Sequence, residues 1–145
     1  HIGYLPEQPP VYKELTVDEY LKFCARINRM DKINVSAAVD NAKQRCGLTK
    51  VGQRLIGNLS KGYQQRVGIA RAIVHKPALL LADEPTGNLD AQNGQLVLNL
   101  LFDLARQHEQ TLLIVTHSKA VAERADRILV LEQGKLHEGE QDIAW

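Results

Sequence analysis

This sequence predicts an α/β fold built on a parallel sheet, and three observations carry the prediction. The apolar run Ala78 to Ala82, with Pro77 before it and Asp83-Glu84 after it, reads as a short buried strand. A second such run, Thr111 to Thr116, follows the amphipathic stretch from Ala91 to about Gln107, the pattern of a helix crossing between parallel strands. The first strand also carries two carboxylates to its C-terminal end, the edge where open α/β sheets bind ligands. Structural constraints alone seldom ask for that.

The elements follow in order. Ile2 to Leu5 is a strand that ends at Pro6, and Glu7-Gln8-Pro9-Pro10 is irregular because its prolines withdraw backbone donors. Thr16-Val17-Asp18-Glu19 has the form of a capping box, so a helix starts at Val17 and keeps Tyr20, Leu21, Cys24 and Ile27 on one face. Ser36 is expected to cap a second helix through Ala37, Ala38, Val39 and Ala42, which Gly47 ends. A third helix opens at Ser60, continues through Val67, Ala70, Ile73 and Val74, and stops by Lys76 because Pro77 disfavours helix at its predecessor. Asp90 caps the crossover helix with its stripe of Leu96, Val97, Leu100, Leu101 and Leu104. Ile128 to Leu131 is a last buried strand, and Glu132-Gln133-Gly134-Lys135 reads as a hairpin turn.

Composition narrows the function classes. With 145 residues and 44% apolar content, the chain suits one domain of ordinary size. Its 18 basic and 17 acidic residues nearly cancel, so no strong field points to nucleic acid or an acidic lipid surface. No apolar run approaches the roughly 20 residues of a membrane helix. Cys24 and Cys46 lack a CxxC spacing and read as reduced packing thiols of a cytosolic protein. The five histidines show no metal-ligand spacing. Gly47, Gly52, Gly57 and Gly62 produce G-x-x-x-x-G three times, but Gln53, Asn58 and Tyr63 follow where a phosphate-binding loop needs Lys and then Ser or Thr. None is a Walker A motif. Because the chain begins at His1 in mid-strand, a piece of a longer protein or an edited chain is expected.

The stretch Asn58 to Asp90 concentrates the chemistry. Ser60, Lys61, Gly62, Tyr63 and Gln64 place a hydroxyl and backbone N–H groups at a helix start, where aligned peptide dipoles favour an anion. This stretch closely resembles the nucleotide-binding domain of ATP-binding cassette (ABC) transporters: LSKGY looks like the signature motif, LLLADE like Walker B, and GNLD, ending at Asp90, like the D-loop. His117, after its apolar run, looks like the H-loop residue. The Ile2-Gly3-Tyr4-Leu5-Pro6 opening extends the likeness over nearly the whole chain. Residues to about Gln65 look like ABC-2-type and gliding-motility ATPases, and LADEPTGNLD onward like lipoprotein-releasing and macrolide-export ATPases, so a chimeric origin is one expectation.

The resemblance implies a P-loop NTPase-like (RecA-like) parallel sheet core, incomplete, made from residues 1–12 and 76–145, with an inserted ABC-type helical subdomain at 13–75. It implies ATP and Mg²⁺ as cofactors. Asp83 would serve the metal, since a hard cation wants carboxylate oxygen, and Glu84 would polarise the water that attacks the terminal phosphate. His117 would contact that phosphate. The loop Gln of the family falls on Glu7 here, with Gln8 one residue late; a solvated loop carboxylate is the alternative. Arg66 and Arg71 are open between a site role and solvated helix charges.

The implied partners are a transmembrane permease subunit, met near Val11 to Leu15, and a second nucleotide-binding domain in a homo- or heterodimer, at the cytoplasmic face of the membrane. The function implied is ATP hydrolysis driving export; the alternative is a non-hydrolysing interaction module or half-domain. The family's Walker A strand lies between the strand before His117 and Ile128 to Leu131, and this chain has no candidate for it. Leu112 to Val115 and Ile128 to Leu131 are therefore expected to pair directly, or to take a strand from another chain.

Overall fold

Thr16 opens the first helix as its sequence predicts. In the computed structural model, which describes residues 1–139, its side chain accepts from the Glu19 N–H while Glu19 reaches back to the Thr16 N–H. The helix, α1 (Val17–Ile27), buries Val17, Tyr20, Leu21, Cys24 and Ala25. The second helix, α2 (Lys32–Arg45), starts five residues earlier than a cap at Ser36 suggests, with Asp31 in the capping position. Ser36 lies inside it, because Val35 adds a buried contact that extends the apolar stripe toward the N-terminus. Gly47, at φ +67°, takes the left-handed conformation just past the end of α2.

Between α2 and the next helix lie two 3₁₀ turns, Thr49–Val51 and Ile56–Asn58, where the glycine spacing suggested only a flexible loop. Buried Leu48, Val51, Ile56 and Leu59 anchor this segment, so its glycines connect turns that are packed down. Helix α3 (Lys61–Ile73) is capped by Ser60, and Lys76 at φ +53° turns the chain into Pro77. The helices α1, α2 and α3 pack on one another. Lys43 of α2 reaches Asp18 of α1 at 2.6 Å.

Strands β1 (Ile2–Leu5), β2 (Leu79–Asp83) and β3 (Thr111–Val115) form a parallel sheet in the order β1-β2-β3, with Leu5 opposite Ala82 and Asp83 opposite Val115. Helix α4 (Ala91–Gln107) is the crossover between β2 and β3, as predicted. It packs on β3, while α3 packs on β1. Close approach is built in at Gly68 of α3, where an added methyl would sit 2.6 Å from Pro9. One face of the sheet is thereby covered: Leu5, Leu80 and Ala82 are buried. The other carries exposed Ile2, Tyr4, Leu113 and Val115.

Contacts divide the chain into two units, His1–Val115 and the residues from Thr116 onward. The second unit holds a one-turn helix α5 (Lys119–Ala122) and an antiparallel hairpin of β4 (Leu129–Glu132) and β5 (Lys135–Glu138). Gln133 and Gly134, both at positive φ, make the two-residue turn. The expected direct pairing of Leu112–Val115 with Ile128–Leu131 is not what forms: β3 pairs with β2, and β4 belongs to a two-stranded sheet of its own. A strand reached through a two-residue turn costs far less loop closure than a distant one, so β4 takes β5.

Both cysteines are free and buried. Complete burial pushes the Cys46 thiol up to about 12. Neither has thiolate character at neutral pH, in keeping with packing roles.

Candidate functional site

Two carboxylates close the central strand. Asp83 ends β2, half-buried and in register with Val115. Glu84 then leaves the strand direction, because its backbone is held at φ +42°. Its N–H donates to the Val115 carbonyl at 2.8 Å, and its own carbonyl accepts from Gly87 at 3.0 Å. A non-glycine residue in this left-handed region is strained, and such strain collects at sites where a side chain must be aimed. Consecutive carboxylates thus diverge from one strand end.

The turn after Glu84 is secured from two sides. Gln65 of α3, buried to 5% exposure, donates its amide to the Pro85 carbonyl at 2.9 Å. From the β1 side, the Glu7 carboxylate lies over Gly87, where an added methyl would meet Oε1 at 2.9 Å. Gln8 is exposed. Of these two loop residues, the structure therefore brings Glu7 to the carboxylate turn.

The helix starts of α3 and α4 form the second half of the arrangement. Ser60 Oγ accepts from the Tyr63 N–H at 3.2 Å. Asp90 accepts from the Asn93 N–H at 3.0 Å and from its side-chain amide at 2.6 Å. These bonds, the Asn93 backbone first, hold the Asp90 carboxyl below its usual range. Asn93 also faces Gly62, where an added methyl would come within 2.6 Å of Asn93 Oδ1. A side chain at Gly62 would have to push Asn93 aside, so the glycine lets the start of α3 lie close to the start of α4. Lys61 and Tyr63 are exposed, with the Arg66 guanidinium 5.1 Å over the Tyr63 ring. Gln64 turns back instead, its amide donating to the Ile56 and Leu59 carbonyls at 3.1 Å.

His117 lies in the second unit, exposed, beside Thr116 whose hydroxyl accepts from the Ser118 N–H at 3.0 Å. Sequence reasoning missed Gln65 and Asn93. A buried Gln inside a helix is visible only after folding, whereas Asn93, three residues after a capping Asp90, is a signal that could have been read.

The described residues gather a carboxylate pair at a strand end, the Glu7 loop and two capped helix starts. Among the described residues no group of three or more His, Cys, Asp or Glu could hold a metal ion by itself. The Lys-bearing phosphate loop has no counterpart in the sequence.

An α/β sheet with a carboxylate pair at its C-terminal edge and paired helix starts beside it defines a nucleotide-binding ATPase type of fold. The family model described as ABC transporter matches residues 1–87, and the chain belongs to that family. It is 38% identical over 135 residues to the lipoprotein-releasing system ATP-binding protein LolD of Shewanella frigidimarina, covering 93% of this chain and 56% of that protein. It is likewise 38% identical over 138 residues to the ABC transporter ATP-binding protein YbbA of Escherichia coli K12, covering 95% and 60%. The likeness to each runs through both halves of the sequence. Among solved structures, CbiO1 from Clostridium perfringens, part of the ABC transporter complex CbiONQ, superposes with a TM-score of 0.86 at 27% identity, covering 95% of this chain and 56% of that one. An inward-facing metal-chelate type ABC transporter matches with a TM-score of 0.83 at 29% identity, covering 97% and 58%. The chain thus spans between 56 and 60% of the length of these four.

Proposed function

We propose that this chain is the signature and Walker B portion of an ATP-hydrolysing ABC subunit that drives export. The observation that carries the reading is the strand end at which Asp83 stays in line while Glu84 is turned aside at φ +42°. In this reading Asp83 holds the metal, Glu84 orients and polarises the attacking water, and His117 contacts the terminal phosphate. Bound Mg²⁺ supplies charge neutralisation on the phosphates. Glu7 borders the same turn, and Gln8 stands next to it. Ser60, Lys61, Gly62 and Tyr63 present a helix start to the phosphates of a nucleotide held by a second such domain, with Gln64 shaping that start and Asp90 lining the boundary.

Residues 13–75 serve as the helical subdomain. A groove where it meets the 1–12 segment, lined by Pro10, Tyr12, Tyr20, Phe23 and Arg71, would receive a permease subunit. Tyr12 stacks edge-on to Tyr20 at 5.8 Å and tilts onto Phe23 at 5.7 Å, a rigid aromatic wall of the kind interfaces favour. Among the described residues no helix is long and apolar enough to cross a membrane, and attachment at the cytoplasmic face through such a partner is the proposed location. Alone, without a phosphate loop, the chain binds ATP weakly and turns none over.

The test is made in a complete parent protein. Glu84→Gln keeps the shape but cannot take a proton, so hydrolysis falls about 100-fold or more while ATP binding persists; turnover near wild type would refute the assignment. Action in trans is checked with mixed dimers, Ser60→Arg on one subunit and a Walker A lesion on the other. One intact site supports it, and loss of both shows action in cis.

A further inference from the structure

Between α1 and the first turns of α2 lies an open cavity of about 540 Å³, lined by Lys22, Arg26, Lys32, Val35 and Ser36. Lys22 and Arg26 stand four residues apart on one face of α1, and Lys32 opens α2 across from them. Among the described residues none of these three cations is in an ion pair; the neighbouring acids Asp18 and Asp40 are both taken by Lys43, at 2.6 and 3.4 Å. The first turn of α2 has no acidic residue, and Asp31 makes no side-chain capping bond to it. Three positive charges, a hydroxyl and a helix start therefore line one hollow whose lining holds no carboxylate, with Asp31 beside it one residue before Lys32. An anion entering the hollow would meet charge-assisted donors from both helices.

We infer that this cavity binds a phosphate group, separately from the nucleotide site. Lys22 and Arg26 grip it from one wall, Lys32 and the leading N–H groups of α2 from the other, and Ser36 donates its hydroxyl; Val35 forms an apolar floor. Ile33, 88% exposed on the same turn as Lys32, stands where an acyl region would meet it if the phosphate belongs to a lipid headgroup.

The test uses the full chain with inorganic phosphate at low ionic strength, followed through the backbone amide signals of residues 32–36. Saturable shifts are expected. Lys22→Gln and Arg26→Gln should each weaken binding about tenfold, the size expected when a hydrogen bond to a charged group is lost. Lys50→Gln, an equal charge change on the exposed Thr49–Val51 turn, should leave it unchanged. Vesicles of phosphatidylcholine with phosphatidylglycerol, against phosphatidylcholine alone, then separate the sources. Capture by the anionic vesicles that is lost in Lys22→Gln/Arg26→Gln and weakened in Ile33→Ser assigns a lipid headgroup, and phosphate binding without capture assigns a free phosphate. Binding of neither probe, or equal weakening by Lys50→Gln, overturns the inference.

Discussion

The helices of residues 17–73 and the strands of this chain solve the burial problem differently. Val17, Leu21, Val39, Leu48, Ile56, Val67 and Ile69 are at most 1% exposed, whereas Leu113, Val115, Leu129, Leu131 and Leu136 are 46 to 71% exposed. A helix buries a stripe against its neighbours, and α1, α2 and α3 close theirs on one another and, for α3, on β1 and α4 as well. A parallel strand has two apolar faces and two edges, and is ordinarily covered on both faces. Among the described residues the helical region covers its apolar stripes, whereas the sheet leaves Ile2, Tyr4, Leu113 and Val115 exposed on one face and pairs β3 with β2 alone.

The comparison breaks first in the core. Leu21→Ala should cost about 2–5 kcal/mol, the usual range for a fully buried leucine, while Leu131→Ala on β4 should stay within about 0.5 kcal/mol. Urea unfolding followed by circular dichroism measures both. Equal costs would mean that the hairpin is buried in solution and that the contrast is false.

The open sheet face is sharpened by charge. Ile2, Tyr4, Leu113 and Val115 form a contiguous apolar surface by register, and surfaces of this kind associate. The wild-type chain should therefore self-associate as concentration rises, and Leu113→Lys should suppress this while changing stability by less than about 1 kcal/mol. Sedimentation velocity decides. A wild-type chain monomeric at high concentration would show that the face needs no cover.

What could be read from sequence follows the same division. Thr16, Ser60 and Asp90 signalled their helices because a cap is a local hydrogen bond between residues three apart. The Gln133-Gly134 turn was equally local. Asp83 and Glu84 were legible as a strand end, but the left-handed twist that separates them depends on the Val115 carbonyl from another strand. Gln65 holding Pro85, Gly68 against Pro9 and Gly62 against Asn93 are long-range contacts, and nothing in a one-dimensional pattern ranks them. The start of α2 was misplaced because Ser36 is a good capping residue by type, while burial of Val35 decided the matter.

The smallest effect tests how complete the helical region is. In an isolated helix a Thr cap is worth about 0.5–2 kcal/mol, since the first N–H groups otherwise lack partners. In α1 the surrounding backbone already supplies most of them: Val17 N–H donates to the Arg54 carbonyl at 3.2 Å and Asp18 N–H to Gly52 at 2.9 Å. Thr16 Oγ1 is left with the Glu19 N–H alone, at 3.2 Å. Thr16→Ala should therefore fall at the low end, about 0.5 kcal/mol, and Thr16→Ser should restore nearly all of it. By contrast Ser60→Ala, at a helix start whose first turn gains no such backbone acceptors, should cost about 1 kcal/mol. Thermal unfolding of the three variants orders them. If Thr16→Ala costs more than Ser60→Ala, the 52–54 segment does not hold α1 in solution, and the helical region is less self-sufficient than its buried residues indicate.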